Sequence, residues 1–176
     1  DSRPFSLIGL KEAEIVNRGQ LDGAFSYKNN ALDLEGILIQ PIFGSVSADT
    51  LTIVADGSER RLKSHIVATN FIGLGLNLPT AVVNTRLVKD SLKIGLNFTG
   101  SDDQQILLMN GTATANVDDY NFQFAEDIIL NDTSWIIDPQ NAIHFSASNL
   151  FVDRFNLSKD QGRLSIQSQG VYSVDV

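Results

Sequence analysis

Apolar and polar residues alternate along most of this chain. "ALDLEG" sets Leu32 and Leu34 on one side and Asp33 and Glu35 on the other. "LKIGLNF" alternates through Leu92, Ile94, Leu96 and Phe98, and "YNFQF" through Tyr120, Phe122 and Phe124. "NAIHFSA" does so through Ile143, Phe145 and Ala147, and "RLSIQSQGVY" through Leu164 and Ile166. A two-residue period places successive side chains on opposite faces of a strand, one face apolar and one wet. Turn-forming clusters divide the runs at a spacing of roughly ten residues. They are "NRGQLDG" at 17–23, "KNN" at 28–30, "ADGSE" at 55–59, "TGSDDQ" at 99–104, "MNG" at 109–111, "VDD" at 117–119, "NDTS" at 131–134 and "KDQG" at 159–162. "KEAEIVNR" at 11–18 and "TAVVNTRLVKD" at 80–90 have some helical spacing, but their β-branched residues favour strands. The pattern predicts an all-β protein with no βαβ units.

Two runs break the alternation. "GILIQPIFG" at 36–44 and "NFIGLGLNL" at 70–78 are apolar at nearly every position, which predicts cover on both faces, from protein or from a bound apolar partner. Gly73 and Gly75 would relieve crowding or mark bulges. The lone tryptophan lies in "ILNDTSWIIDPQNAIHF", 129–145. There Asn131 to Ser134 turns the chain, Trp135 with Ile136 closes apolar surface at the bend, and Asp138–Pro139 forces a second break.

Composition narrows the function. The 176 residues are read as a single β-rich segment, and "DSRPFS" and "GVYSVDV" at the ends look like cuts from a longer protein. Hydrophobic content is 43% and charged content 19%, so the surface is polar more through Asn, Ser, Thr and Gln than through charge. A net charge of -8 argues against nucleic acid, whose phosphates it would repel. With no cysteine, thiolate metal sites and Cys nucleophiles are excluded. No apolar run reaches the length of a membrane span. His65 and His144 alternate with apolar residues and are expected on the wet faces of their strands. Asp102–Asp103 and Asp118–Asp119 lack the spacing of a calcium loop, and the motifs of nucleophilic, zinc or phosphate-binding sites are missing. No catalytic residue, metal ligand or cofactor is expected, and an enzyme is not.

Residues 130–170, "LNDTSWIIDPQNAIHFSASNLFVDRFNLSKDQGRLSIQSQG", resemble a stretch of the TamB proteins of Bacteroidetes-type bacteria. In those a Trp follows a turn, then an "I.P.N.I.F" unit, then a strand ending in "F.LS...Q.ISI.G". "NRGQLDGAFSYKNNALDLEG" and "LVKDSLKIGLNF" are similar to the repeated strand units of that family. The resemblance implies an AsmA-like periplasmic bridge of a Gram-negative bacterium, anchored in the inner membrane by a helix and reaching an Omp85-type outer-membrane barrel through other parts of the full-length protein. It implies an elongated curled sheet, an open β-groove or "β-taco" of roughly ten to twelve strands with an apolar interior. The implied roles are phospholipid transport to the outer membrane and outer-membrane β-barrel assembly. The partners would be phospholipid acyl chains or an unfolded β-strand substrate. The groove is expected to be lined by Leu38, Phe71, Leu74, Leu96, Phe98, Leu108, Phe122, Phe124, Trp135, Phe145, Val152 and Ile166. A one-residue register error would invert the face of any of these strands. The competing reading is a closed β-sandwich serving adhesion or carbohydrate binding. A sugar platform usually exposes several Trp or Tyr, whereas this chain has one Trp and three Tyr.

Overall fold

The computed structural model describes residues 13–58, 60–115, 119–125, 128–146, 149–168 and 172–173. They form one curled sheet in which every pairing is antiparallel. Its first part is a meander of β1 (Ala13–Ser26), β2 (Ala31–Phe43), β3 (Val46–Ser47), β4 (Thr50–Ser58), β5 (Arg61–Gly73), β6 (Leu76–Val88), β7 (Ser91–Thr99) and β8 (Gln105–Ala115). β3 and β4 together act as one strand between β2 and β5.

Beyond β8 the sheet forks. The far side of β8 pairs with β9 (Tyr120–Phe124) over 111–115 and with β10 (Ile128–Leu130) at Leu107 and Leu108. One branch continues from β9 through β12 (Ala142–Phe145) and β13 (Asn149–Asp153) to β16 (Tyr172–Ser173). The other continues from β10 through β11 (Thr133–Ile137) and β14 (Phe155–Lys159) to β15 (Gly162–Ile166). The chain crosses between branches at every second connection, so each long strand is a pair of halves broken near the middle. The longest hydrogen-bonded path holds eleven strands, and ten steps of about 4.8 Å extend it over roughly 48 Å. Among the described residues no ladder joins β1 to β15 or β16. The sheet therefore keeps open edges.

Local chemistry explains the hairpins. Leu74 (φ 55) with Gly75 (φ 76), and Asn131 (φ 49) with Asp132 (φ 57), have positive φ at both loop positions. Two-residue loops of type I′ need this, because their twist matches that of the flanking strands. Two expected turns are instead strand interior: "NRGQLDG" lies within β1, and "MNG" within β8. In the first, a Cβ added at Gly19 would sit 2.7 Å from Leu38 Cδ2. In the second, a Cβ at Gly111 would collide with the Phe122 ring. Glycine here makes room for a large neighbour across the ladder, a strand role that composition alone reads as a turn.

The two continuous apolar runs do not mark strands covered on both sides. Gln40 (φ 50) and Asn70 (φ 47) are left-handed residues inside β2 and β5. Neither shifts its ladder, since Ile39–Thr50 and Ile42–Ser47 keep one register, as do Thr69–Thr80 and Phe71–Leu78. The left-handed residue turns the strand over and so resets the alternation. Pro41 and Phe43 therefore join Leu51 on the same side of the sheet, and Phe71 joins Ala68. Ile37 and Ile72 are exposed. The run is apolar because its phase slips, and the cover is on one face.

The break between β11 and β12 is held by polar groups. Asn141, only 1% exposed, accepts the Phe124 amide at 2.8 Å through Oδ1. Its Nδ2 donates to the carbonyls of Phe124 at 3.1 Å and Asp138 at 2.6 Å. The amide side chain thus stands in for a missing residue of the ladder, as a buried polar group must. Asp138 as a break point agrees with the structure. Trp135 packs on the core of Ile128, Ile137 and Leu157, whereas Ile136 is exposed on the other side and closes nothing.

Candidate functional site

The sheet's register sorts its residues into two chemically distinct faces. Directly paired residues point the same way, so rows can be followed from strand to strand. One row runs from Leu38 through Leu51, Ala68, Ala81 and Phe98 to Leu107 and Leu130. Another passes through Ile53, Ile66, Val83, Leu96 and Met109. A third starts at Leu32 and Gly57 and passes through Leu62, Leu87, Leu92, Ala113 and Phe122 to Ile143 and Val152. The row between the second and third contains one polar step, Ser64 beside Thr85, and those hydroxyls satisfy each other at 2.8 Å.

The opposite face reads differently. Thr50, Thr69, Thr80 and Thr99 stand in one row, with Thr50 bonded to Thr69 at 2.7 Å. His65 bonds Asn84 at 2.7 Å on this face, between a row of Asp, Lys and Arg and a mixed row that holds Ile37, Thr52, Val67, Val82, Asn97, Leu108 and Ile129.

The apolar face is only partly covered. Among the described residues six of the eight buried hydrophobics form two small clusters on it, Ala68, Leu78 and Ala81, and Ile128, Ile137 and Leu157, while Leu38 and Ala55 are buried apart from them. Between and beyond them Leu32, Ile53, Ile66, Leu92, Leu96 and Phe122 keep intermediate exposure. The whole chain exposes 12077 Å², against roughly 8,400 Å² for a compact monomer of its mass. Near one long edge the strand ends fold over the face. Pro41, Phe43, Val46 and Phe71, beyond the left-handed residues, enclose with Ile66, Val83 and Phe98 a cavity of about 250 Å³. Ser47 is its one polar residue. Across the fork, Phe124 meets Phe122 edge-on at 4.8 Å and Phe155 at 5.3 Å, which carries the aromatic lining from one branch to the other.

The register locates the residues expected from sequence. Leu38, Leu96, Phe98, Phe122 and Val152 lie in the apolar rows, and Phe71 lines the cavity. Phe124 and Trp135 pack on the second cluster. Phe145, two residues beyond Ile143, stacks on Tyr120 at 5.3 Å, and Ile166 pairs with Phe155 on the edge strand, exposed. Leu74 and Leu108 are elsewhere. Leu74 is the tip of a hairpin and 83% exposed. Leu108 pairs with Asn97 and Ile129 on the polar face, because a bulge opposite Phe98 and Thr99 shifts β8 by one residue. That shift makes Leu107 the lining residue. Leu51, Ile66, Ala68 and Val83 line the cavity and were not singled out by sequence; their alternation within β4, β5 and β6 was the available signal. No protein-family model, curated protein or solved structure matches the chain.

Proposed function

We propose that this chain is a segment of a TamB-like translocation and assembly module, whose apolar face forms a groove for phospholipid acyl chains moving through the periplasm to the outer membrane. The observation that carries the reading is the partly exposed apolar face, continuous over the meander and into both branches. A sheet curled over such a face leaves stretches of its apolar side uncovered between the two buried clusters. A methylene laid against it gains up to about 0.8 kcal/mol, and rows of similar side chains keep that gain nearly even from strand to strand. Few polar groups on the face would hold the chain at one place. A protein of this design slides its cargo rather than trapping it.

The open edges support a second cargo. β1 is paired on one side only among the described residues, and an unfolded outer-membrane strand could add to it by backbone hydrogen bonds.

A photoreactive phenylalanine analogue placed at Phe122 or Phe98, in cells making the full-length protein, is expected to crosslink phospholipid. The same analogue at Val82 or His65, on the polar face, is not. Equal labelling at all four positions, or none at any, would refute the groove.

A further inference from the structure

The polar face is not uniformly acidic, although the chain carries a net charge of -8. One of its rows reads Asp33, Asp56, Lys63, Arg86, Lys93 across β2, β4, β5, β6 and β7. Like charges stand directly opposite each other at three of its four steps, an arrangement that destabilises a sheet left to itself. The one step of opposite sign, from Asp56 to Lys63, is not closed. Among the described residues none of the five takes part in a side-chain hydrogen bond or ion pair. Two carboxylates and three cations are thus sorted by sign along one stripe.

A cavity of about 500 Å³ opens on this stripe. Asp33 and Asp56 line one part of it, and Arg61, Lys63 and Arg86 another. Leu32 and Leu87, which belong to the apolar rows, line it as well, with Gly57 contributing no side chain between the two faces. The opening therefore offers anion sites, cation sites and apolar surface within a few strand spacings of about 4.8 Å each. We propose that it takes the headgroup of a zwitterionic aminophospholipid. The phosphate meets Arg61, Lys63 and Arg86, the ammonium meets Asp33 and Asp56, and the first acyl carbons lie on Leu32 and Leu87. This rests on the groove reading above and adds a headgroup preference to it. A purely anionic head would meet the two carboxylates unfavourably, and an uncharged one would leave both sets of charges unmet.

The test uses the whole 176-residue chain and three short-chain lipids of equal acyl length, titrated by native mass spectrometry: a phosphoethanolamine, a phosphoglycerol and a diacylglycerol. The phosphoethanolamine is expected to bind about ten-fold tighter than either of the others. Lys63→Gln with Arg86→Gln should weaken it by about ten-fold and leave diacylglycerol within about two-fold. Asp33→Asn with Asp56→Asn should close the gap between phosphoethanolamine and phosphoglycerol. All three lipids binding alike, or both double variants behaving as the parent, would overturn the headgroup site while leaving the groove intact. Failure of every lipid, diacylglycerol included, would overturn the groove reading and this one with it. All four positions are exposed side chains on strands, so circular dichroism of the variants is expected to match the parent.

Discussion

Replacing Asn141 with Ala should loosen the C-terminal half of the sheet. The side chain makes three hydrogen bonds, at 2.8, 3.1 and 2.6 Å, and is almost fully buried. Removing it takes the partner from one amide and two carbonyls. At about 1 kcal/mol net per bond, and somewhat more for the buried amide, the loss is roughly 3–4 kcal/mol. For a chain of this length that corresponds to about a 10 °C fall in Tm. A stacked ladder transmits such damage mainly to neighbours, so hydrogen exchange should locate it. Amides of β9, β11 and β12 should exchange faster in Asn141→Ala, and those of β4 to β6 at the parent rate. Gln123→Ala is the control. Its side chain is exposed and makes a single bond to the Pro139 carbonyl at 2.7 Å, worth under about 1 kcal/mol. If the two variants melt alike and β9 keeps its protection, the break is not held by Asn141.

Other perturbations test the register and the face assignment. Gly57→Ala would drive a Cβ into the backbone of Arg61 and to 2.8 Å from Leu62 Cα, so β4 and β5 must separate. A cost of about 3 kcal/mol or more is expected in a denaturant titration, because backbone cannot repack as a side chain can. Leu74→Asn should leave both stability and lipid crosslinking unchanged, since the residue sits exposed at φ 55 in a loop that suits Asn. Leu107→Glu should lower phospholipid recovery several-fold more than Leu108→Glu, as the two lie on opposite faces. Phe122→Lys should cut lipid recovery by about an order of magnitude while costing about 1–2 kcal/mol of stability for a half-buried ring. Equal loss of both properties would make Phe122 an ordinary core residue.

The all-β architecture was legible because its signals are local. Alternation at 92–98 or 120–124 needs only the neighbouring residues, and "NDTS" and "KDQG" announce hairpins through side chains that tolerate positive φ. The ambiguous segment 80–90 resolves as strand for the same reason: its β-branched residues suit a pleated surface. Glycine misled at 19–23 and at 111, where the reason for it lies on a different strand, in the Leu38 and Phe122 side chains it must admit. Nothing within nine residues of Gly111 says so.

Choosing which side of each strand faces the groove required knowing the partners. Between Leu107 and Leu108 the sequence offers two identical side chains, and a bulge formed with β7 selects the first. Gln40 and Asn70 likewise reset the phase of β2 and β5, which turned runs that read as covered on both sides into strands with one apolar face. Asn141 completes the list, since its value lies in atoms of Phe124 brought beside it by the fold. Strand character follows from a period that neighbours set among themselves. Facing depends on a count of residues across distant pairings, and one inserted residue reverses it.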